Sequence, residues 1–244
     1  MRKEDFMSLD VLLINPGDQA SVFQSLSEAF TAKEPPIWCR LIASYLERKG
    51  CSVEILDAEA FGLDDLTTVQ AVMDSKPILI VIVVHGHQPS ASTQKMPAAV
   101  KLSTAFKKMG SEVPVLMVGG HPAALSEVTL IESEADFVCT GEGPVTVYEL
   151  LQFIKGTKDW CYASKANLRG VVYWDHGEVV ISDPAPNVQN LDEEMPGGCW
   201  HKLDLRPYRS YAHHAWSNNF ECKPYASVYT SLGCPYHCGF CMIQ

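Results

Sequence analysis

At 244 residues the chain has room for one generous domain, or for one domain and part of a second. A formal net charge of −10, with no run rich in Lys or Arg, argues against a broad nucleic-acid face. The N-terminal MRKEDFMSLD lacks the apolar stretch of a signal peptide, and the longest apolar run, ILIVIVV at 78–84, is too short to span a bilayer, so a cytoplasmic protein without membrane partners is expected.

Residues 9–154 alternate strand and helix patterns. LDVLLIN at 9–15 reads as a first strand ending in the turn Asn15-Pro16-Gly17. The stretch 35–50 reads as a helix, with Pro36 in its first turn, an apolar stripe of Ile37, Leu41, Ile42, Tyr45 and Leu46, and Gly50 at its C-terminal cap. SVEILDAE supplies a second strand and 64–75 a second helix. ILIVIVV is a third strand running into the loop 85–94, and a helix is expected from about Pro97 to Met109. PVLMVGG at 114–120 is a fourth strand, 136–143 a fifth with its exit turn, and VTVYELLQFIKG a closing helix. Right-handed crossovers then predict an α/β domain over 9–156 with a flavodoxin-like, doubly wound sheet of five parallel strands ordered 2-1-3-4-5.

The texture changes after Gly156. GVVYWDHGEVVIS at 170–182 reads as a β-hairpin turning at Asp175-His176-Gly177, within a linker expected over 157–225. The aromatic, His-rich stretch holding Tyr208, Tyr211, His213, His214 and Trp216 reads as packing of that linker. ASVYTSLG at 226–233 reads as a fresh strand feeding a cysteine loop, so a new domain is expected over 226–244.

Of nine cysteines, Cys39, Cys51, Cys139, Cys161, Cys199 and Cys222 are scattered and read as buried or incidental thiols. Cys234, Cys238 and Cys241 are clustered as C-x3-C-x2-C. Two sites suit three thiols on one loop. Zinc needs a fourth ligand, from His237, Cys222, His213 or His214. A [4Fe–4S] cluster held by three Cys leaves one iron open to a small molecule. The spacing, Phe240 just before the last Cys and the preceding strand favour the cluster. The stretch resembles the signature of the radical S-adenosylmethionine (SAM) enzymes. That resemblance implies Cys234, Cys238 and Cys241 as cluster ligands and Phe240 near the adenine of SAM, which the reduced cluster cleaves to a 5′-deoxyadenosyl radical. It further implies a (β/α) barrel of which only the first strand falls within these residues, so the chain reads as the N-terminal part of a longer frame.

Ligands of such sheets lie at the carboxyl ends of the strands. The loops there, at 15–19, 85–94, 119–124 and 140–146, are rich in Gly, Ser and Thr. Glycines admit close backbone approach, and hydroxyls hydrogen-bond amides or phosphate. No G-x-G-x-x-G follows the first strand, which weighs against a dinucleotide. With the cysteine motif, the helix at 35–50, VGGHP at 118–122 and DFVCTGEGPVTVYELL at 136–151 resemble the cobalamin (B12)-binding domain of B12-dependent radical SAM enzymes. The hairpin and the LDEEMP linker share that likeness. It implies cobalamin contacts from Gly86, Ser90, Ser92, Thr93, Gln94, Gly119, Gly120, His121, Gly141, Glu142 and Gly143. The loop 15–19 carries no His where many cobalamin domains have the cobalt ligand of D-x-H-x-x-G, so the lower base is expected to be displaced. His85, His87 and His121 stand on neighbouring loops as potential cobalt ligands.

The resemblance implies methyl transfer from methylcobalamin to an unactivated carbon, a small-molecule substrate and an electron donor such as flavodoxin or ferredoxin. Ring formation or rearrangement on the same scaffold is an alternative. So are a radical SAM protein whose first domain binds something other than B12, and a stand-alone cobalamin-binding module. No catalytic side chain is identifiable from these residues.

Overall fold

Six aliphatic residues in succession, at 79–84, bury every side chain, as a strand covered by helices on both faces does. The computed structural model describes residues 9–17, 32–86, 91–210, 224–229, 231–234, 236, 238 and 239. Five strands, β1 (Val11–Asn15), β2 (Val53–Asp57), β3 (Leu79–Val84), β4 (Val115–Gly119) and β5 (Phe137–Cys139), pair in parallel in the order β2-β1-β3-β4-β5.

The period of two along the strands divides the core. Val11, Leu13, Val81, Val83, Leu116 and Val118 pack on one face, under α1 (Ile37–Arg48). Leu12, Ile14, Ile80, Ile82 and Met117 face the other way, onto Val69 and Val72 of a helix over 65–75 and Leu102 and Phe106 of one over 92–108. Burying each such side chain contributes about 1.5–3 kcal/mol against chain entropy. A short helix α2 (Ala58–Phe61) follows β2, and the helix after it is α3 (Asp65–Ser75), whose N-cap Asp64 accepts from Thr67 N at 2.8 Å.

Several expectations change at this point. The helix after β3, α4 (Ser92–Lys108), starts five residues before Pro97 instead of at it. Met96, Ala98, Ala99 and Leu102 give it a buried face, and Ser92 Oγ bonds Val84 O, so packing and tethering outweigh the proline's missing donor. Ser92, Thr93 and Gln94 therefore form the helix's first turn and not a loop. The fourth strand ends at Gly119, and Gly120 and His121 open the short helix α5 (Gly120–Ala124), followed by α6 (Ser126–Ser133). The sequence reading placed no helix there, because exposed Leu125, Val128 and Ile131 blur the amphipathic stripe. Helix α7 (Pro144–Gly156) closes the parallel part, and Pro36 caps α1 instead of lying in its first turn.

The sheet has seven strands, not five. The hairpin β6 (Val171–Asp175) and β7 (Glu178–Ile181) does not lie free in a linker but adds antiparallel to β5. Unpaired backbone on the β5 edge and the fit of Val171, Val172 and Tyr173 beside Phe137 and Val138 account for this. Its turn falls at His176 and Gly177, both at positive φ.

Beyond the hairpin come α8 (Leu191–Glu194) and a turn segment, Pro196–Lys202, that packs back on α1. The expected strand at 226–233 is not formed by its described residues. No neighbouring strand is present for it among the described residues, and a lone extended segment has nothing to bond. Among the described residues no helix is long and apolar enough to cross a membrane.

Candidate functional site

Strand order reverses between β1 and β3, because β1 leads outward to β2 while the chain then returns to the other side of β1. The crevice at that switch point is where an α/β sheet offers a ligand site. A narrow cleft lies there, bordered by Asn15, Pro35, Pro36, Trp38, Glu59, His85, Gly86, Lys95 and Tyr229.

Its floor is a connected polar chain. Asn15 ends β1 and Asp57 ends β2, and their in-register pairing lets Asn15 Nδ2 donate to Asp57 Oδ1 at 2.7 Å. Asp57 Oδ1 also caps α2 by accepting from Ala60 N at 3.0 Å, and Tyr208 OH donates to Oδ2 at 2.8 Å. On the other side, Lys95 Nζ of α4 donates to Asn15 Oδ1 at 2.7 Å and to Glu59 Oε2 at 2.6 Å. Burial raises the Asp57 carboxyl, opposed by the Ala60 N–H, Asn15 and Lys95. Burial also raises the Tyr208 hydroxyl, with Asp57 beside it adding to the shift.

The wall is aromatic. Trp38 of α1 and His85 at the exit of β3 stack with centroids 4.7 Å apart and planes 17° apart. His85 Nδ1 is buried with no hydrogen-bond partner among the described residues. Burial first, and Lys95 second, push His85 down to about 3 from 6.5. The ring is therefore held neutral, with one nitrogen able to accept and the other to donate.

That shift has a consequence for stability. A histidine depressed in the folded state is protonated first in the unfolded one, so stability falls as pH drops from about 6.5 towards about 3. The slope from this group is at most about 1.4 kcal/mol per pH unit. Asp57, raised by burial, works the other way above its unfolded 3.8. Urea midpoints measured from pH 7 to 4 should accordingly fall less steeply in His85→Gln than in the parent. Parallel curves would refute the buried neutral ring.

The described residues among those expected to contact cobalamin lie at the exits of β3, β4 and β5, where Ser92 is buried and spends its hydroxyl inside the protein instead of offering it to a ligand. Ser92 Oγ is fully buried, bonds Val84 O, and accepts from His121 N at 2.9 Å, so it ties the ends of β3 and β4 together. Exposed Thr93 places Oγ1 3.1 Å from His121 Nδ1, and Gln94 is exposed beside it. At Gly119 a Cβ would meet Val84 O at 2.2 Å, so the β4 exit admits no side chain. Gly143 has φ +109 and a Cβ there would meet Val118 Cγ1 at 2.6 Å. Gly141 and Glu142 are exposed, and a Cβ on Gly141 would meet nothing within 4 Å. Gly86 lines the cleft, and Gly120 lies beside His121 at the start of α5. The edge is thus a glycine-rich shelf, packed tightly at Gly119 and Gly143 and open at Gly141, beside a narrow polar cleft.

Ser90, His87, Phe240 and Cys241 lie outside the described residues, as do Tyr211, His213, His214, Trp216, Cys222 and His237. Cys234 and Cys238 are free and exposed. The segment that leads to them docks at the cleft. Ser227 Oγ donates to Glu34 Oε2 at 2.7 Å, Arg40 Nη2 donates to Ser227 O at 3.2 Å, and Tyr229 borders the cleft itself. Arg40 also spans to Gly198 O and lies 3.6 Å over the Trp200 ring.

Sequence reasoning missed Asp57, Glu59, Lys95, Trp38 and the buried role of Tyr208. The available signal was acidic Asp57-Ala58-Glu59 at the carboxyl end of a strand, with a lysine directly after the Ser/Thr run.

Fold and site together define a doubly wound α/β domain with a crevice at its switch point. The B12 binding domain family matches residues 26–151, about half of the chain, and the chain belongs to that family. It is 27% identical over 232 residues to the anaerobic magnesium-protoporphyrin IX monomethyl ester cyclase of Synechocystis sp., covering 95% of this chain and 42% of that protein. It is 24% identical over 267 residues to the cytidylyl-2-hydroxyethylphosphonate methyltransferase of Streptomyces wedmorensis, covering 95% and 47%. The chain thus spans less than half the length of these relatives. The fold is shared with the radical SAM methyltransferase TsrM from Kitasatospora setae, solved with cobalamin and a [4Fe-4S] cluster bound (TM-score 0.54, 20% identity, 75% of this chain, 30% of that one). It is shared too with the cobalamin-dependent SAM radical enzyme OxsB, solved with aqua-cobalamin and SAM (TM-score 0.57, 18% identity, 79% and 24%). The relatives and structural neighbours of this chain therefore include cobalamin-dependent radical SAM enzymes.

Proposed function

We propose that this chain is the cobalamin-binding portion of a cobalamin-dependent radical SAM enzyme that methylates an unactivated carbon. The observation that carries the reading is the docking of segment 224–229, five residues short of Cys234, on the switch-point cleft of a B12-binding domain. This docking supports a reading in which the cluster loop serves the same edge of the sheet as the cobalamin contacts.

The residues present fit a corrinoid. At Gly141 nothing lies within 4 Å of where a Cβ would stand, which leaves room for a wide flat body, and the narrow cleft bordered by Trp38 and His85 suits a slimmer arm. Cobalamin would supply a transferable methyl group there, and a [4Fe–4S] cluster with SAM the one-electron activation of substrate. In this reading Gly86, Gly119, Gly120, Gly141, Glu142 and Gly143 give the backbone surface, and Ser90, Thr93, Gln94 and His121 the polar contacts. Ser92 holds the two edge loops in register, Trp38 and His85 wall the cleft, and Lys95 with Glu59 fixes its charge. Cys234, Cys238 and Cys241 ligate the cluster, and Phe240 borders SAM. Loop 15–19 offers no His, so the lower base of cobalamin stays displaced. A small-molecule substrate and a flavodoxin- or ferredoxin-type electron donor in the cytoplasm follow from that chemistry. The likeness to a cyclase favours ring closure as the second reading.

Gly141→Trp tests the shelf. Nothing lies within 4 Å of a Cβ at this position, so the variant should fold with an unchanged melting temperature. Its indole should nevertheless obstruct the corrin and weaken hydroxocobalamin binding by tenfold or more, read by spectral titration. Unchanged binding would remove the shelf from the reading.

A further inference from the structure

Away from the cleft, at the other end of α1, Glu47, Cys199 and His201 bring a carboxylate oxygen, a thiol sulfur and an imidazole nitrogen within 4.8 Å of one another. Among the described residues it is the one such group of three potential metal ligands. Cys199 Sγ donates to Glu47 Oε2 at 3.1 Å, and His201 Nε2 stands 3.1 Å from Oε1. In a tetrahedral zinc site, bonds of about 2.0–2.3 Å give ligand-to-ligand edges of about 3.3–3.5 Å. The two contacts to Glu47 lie close to those edges, and one ligand atom from each of the three residues falls within 4.8 Å of the others.

The backbone is bent to present them. Gly197, Gly198 and Cys199 have φ of 72, 62 and 46, three successive residues in the left-handed region. Two are glycines, but Cys199 carries a Cβ and adopts this conformation at a cost, as residues held for a site do. Trp200, between the two ligands, is taken up by the Arg40 guanidinium 3.6 Å over its ring. The ligands border an open cleft, which leaves space for water as a fourth ligand. Lys202 Nζ lies 3.4 Å from Glu47 Oε1, but it also lies 3.1 Å from Glu54 Oε1. It can keep Glu54 while Glu47 turns to a cation.

We propose that Glu47, Cys199 and His201 form a site for one zinc-class divalent cation, independent of the cysteine loop and of the cobalamin reading. The Cys199 thiol, pushed up to about 12 by burial and by Glu47, carries its proton in the metal-free protein. On binding, the S–H bond breaks, a sulfur–metal bond forms, and one proton leaves to solvent. The ion pins the turn segment to α1, whose first turn carries Trp38 of the cleft wall.

The test uses the full chain with Cys234, Cys238 and Cys241 each replaced by Ala, so that their thiols cannot take up metal. Titration with cobalt(II) at neutral pH should load one equivalent, with thiolate-to-cobalt charge-transfer absorption that zinc abolishes by displacement. Cys199→Ser should eliminate that absorption, and His201→Ala should weaken binding by at least tenfold. Should Cys199→Ser fail to fold by circular dichroism, Glu47→Gln on the other element decides in its place, with a tenfold loss expected. No cobalt uptake by the parent, or uptake unchanged in these variants, overturns the proposal.

Discussion

Lys95→Met should destabilise the protein by about 3–5 kcal/mol, the cost of removing one partner from a buried ion pair. The side chains of Lys95 and Glu59 are only 10% and 9% exposed. Methionine keeps the volume and loses the ammonium, so Asn15 Oδ1 loses its donor at 2.7 Å and Glu59 its countercharge at 2.6 Å. Asp57 also loses a stabilising cation in a place where burial already raises its carboxyl. The effect therefore spreads along the chain from Glu59 to Tyr208. Lys202→Met offers the contrast. Its partners Glu54 and Glu47 are 56% and 30% exposed, and the expected loss is below about 1 kcal/mol. Urea denaturation of both variants checks the pair. A loss under about 1 kcal/mol in Lys95→Met would mean that the network does not hold the cleft floor.

The second large effect concerns the cysteine loop. After anaerobic reconstitution with iron and sulfide, the parent chain should carry a [4Fe–4S] cluster with its broad visible absorption. Cys238→Ala, and equally Cys234→Ala, should lose that absorption almost entirely, since three thiolates are the minimum the proposal assigns. Cys161→Ala removes a thiol that is likewise exposed and free but remote from the motif, and should reconstitute as the parent does. A full cluster yield in Cys238→Ala would break the ligand assignment.

The parallel strands were legible in the sequence because each is a short aliphatic run bounded by turn residues, and burial on both faces leaves no other use for ILIVIVV. The start of α4 was not, since Pro97 looks like a boundary and only tertiary contacts, the buried face from Met96 to Leu102 and the bond from Ser92 to Val84, carry the helix past it. Nor was the fate of the hairpin. Its local turn at His176-Gly177 is written in the residues, but its attachment to β5 depends on an edge that exists only once the sheet is assembled. The same division holds for the site. Glycine-rich exits at Gly119-Gly120 and Gly141–Gly143 announce themselves through composition. The polar floor does not, because Lys95 and Asn15 stand 80 positions apart and Tyr208 and Asp57 151 apart. Buried charges are satisfied by partners from distant elements, and no local pattern encodes those pairings.

The most direct measurement of the central claim is anaerobic incubation of the purified chain with hydroxocobalamin, followed by gel filtration and a visible spectrum of the protein peak. The account predicts one equivalent of corrin retained, with the spectrum of a cobalamin whose lower base is displaced. Corrin eluting entirely in the small-molecule fraction, while circular dichroism shows the protein folded, would contradict it.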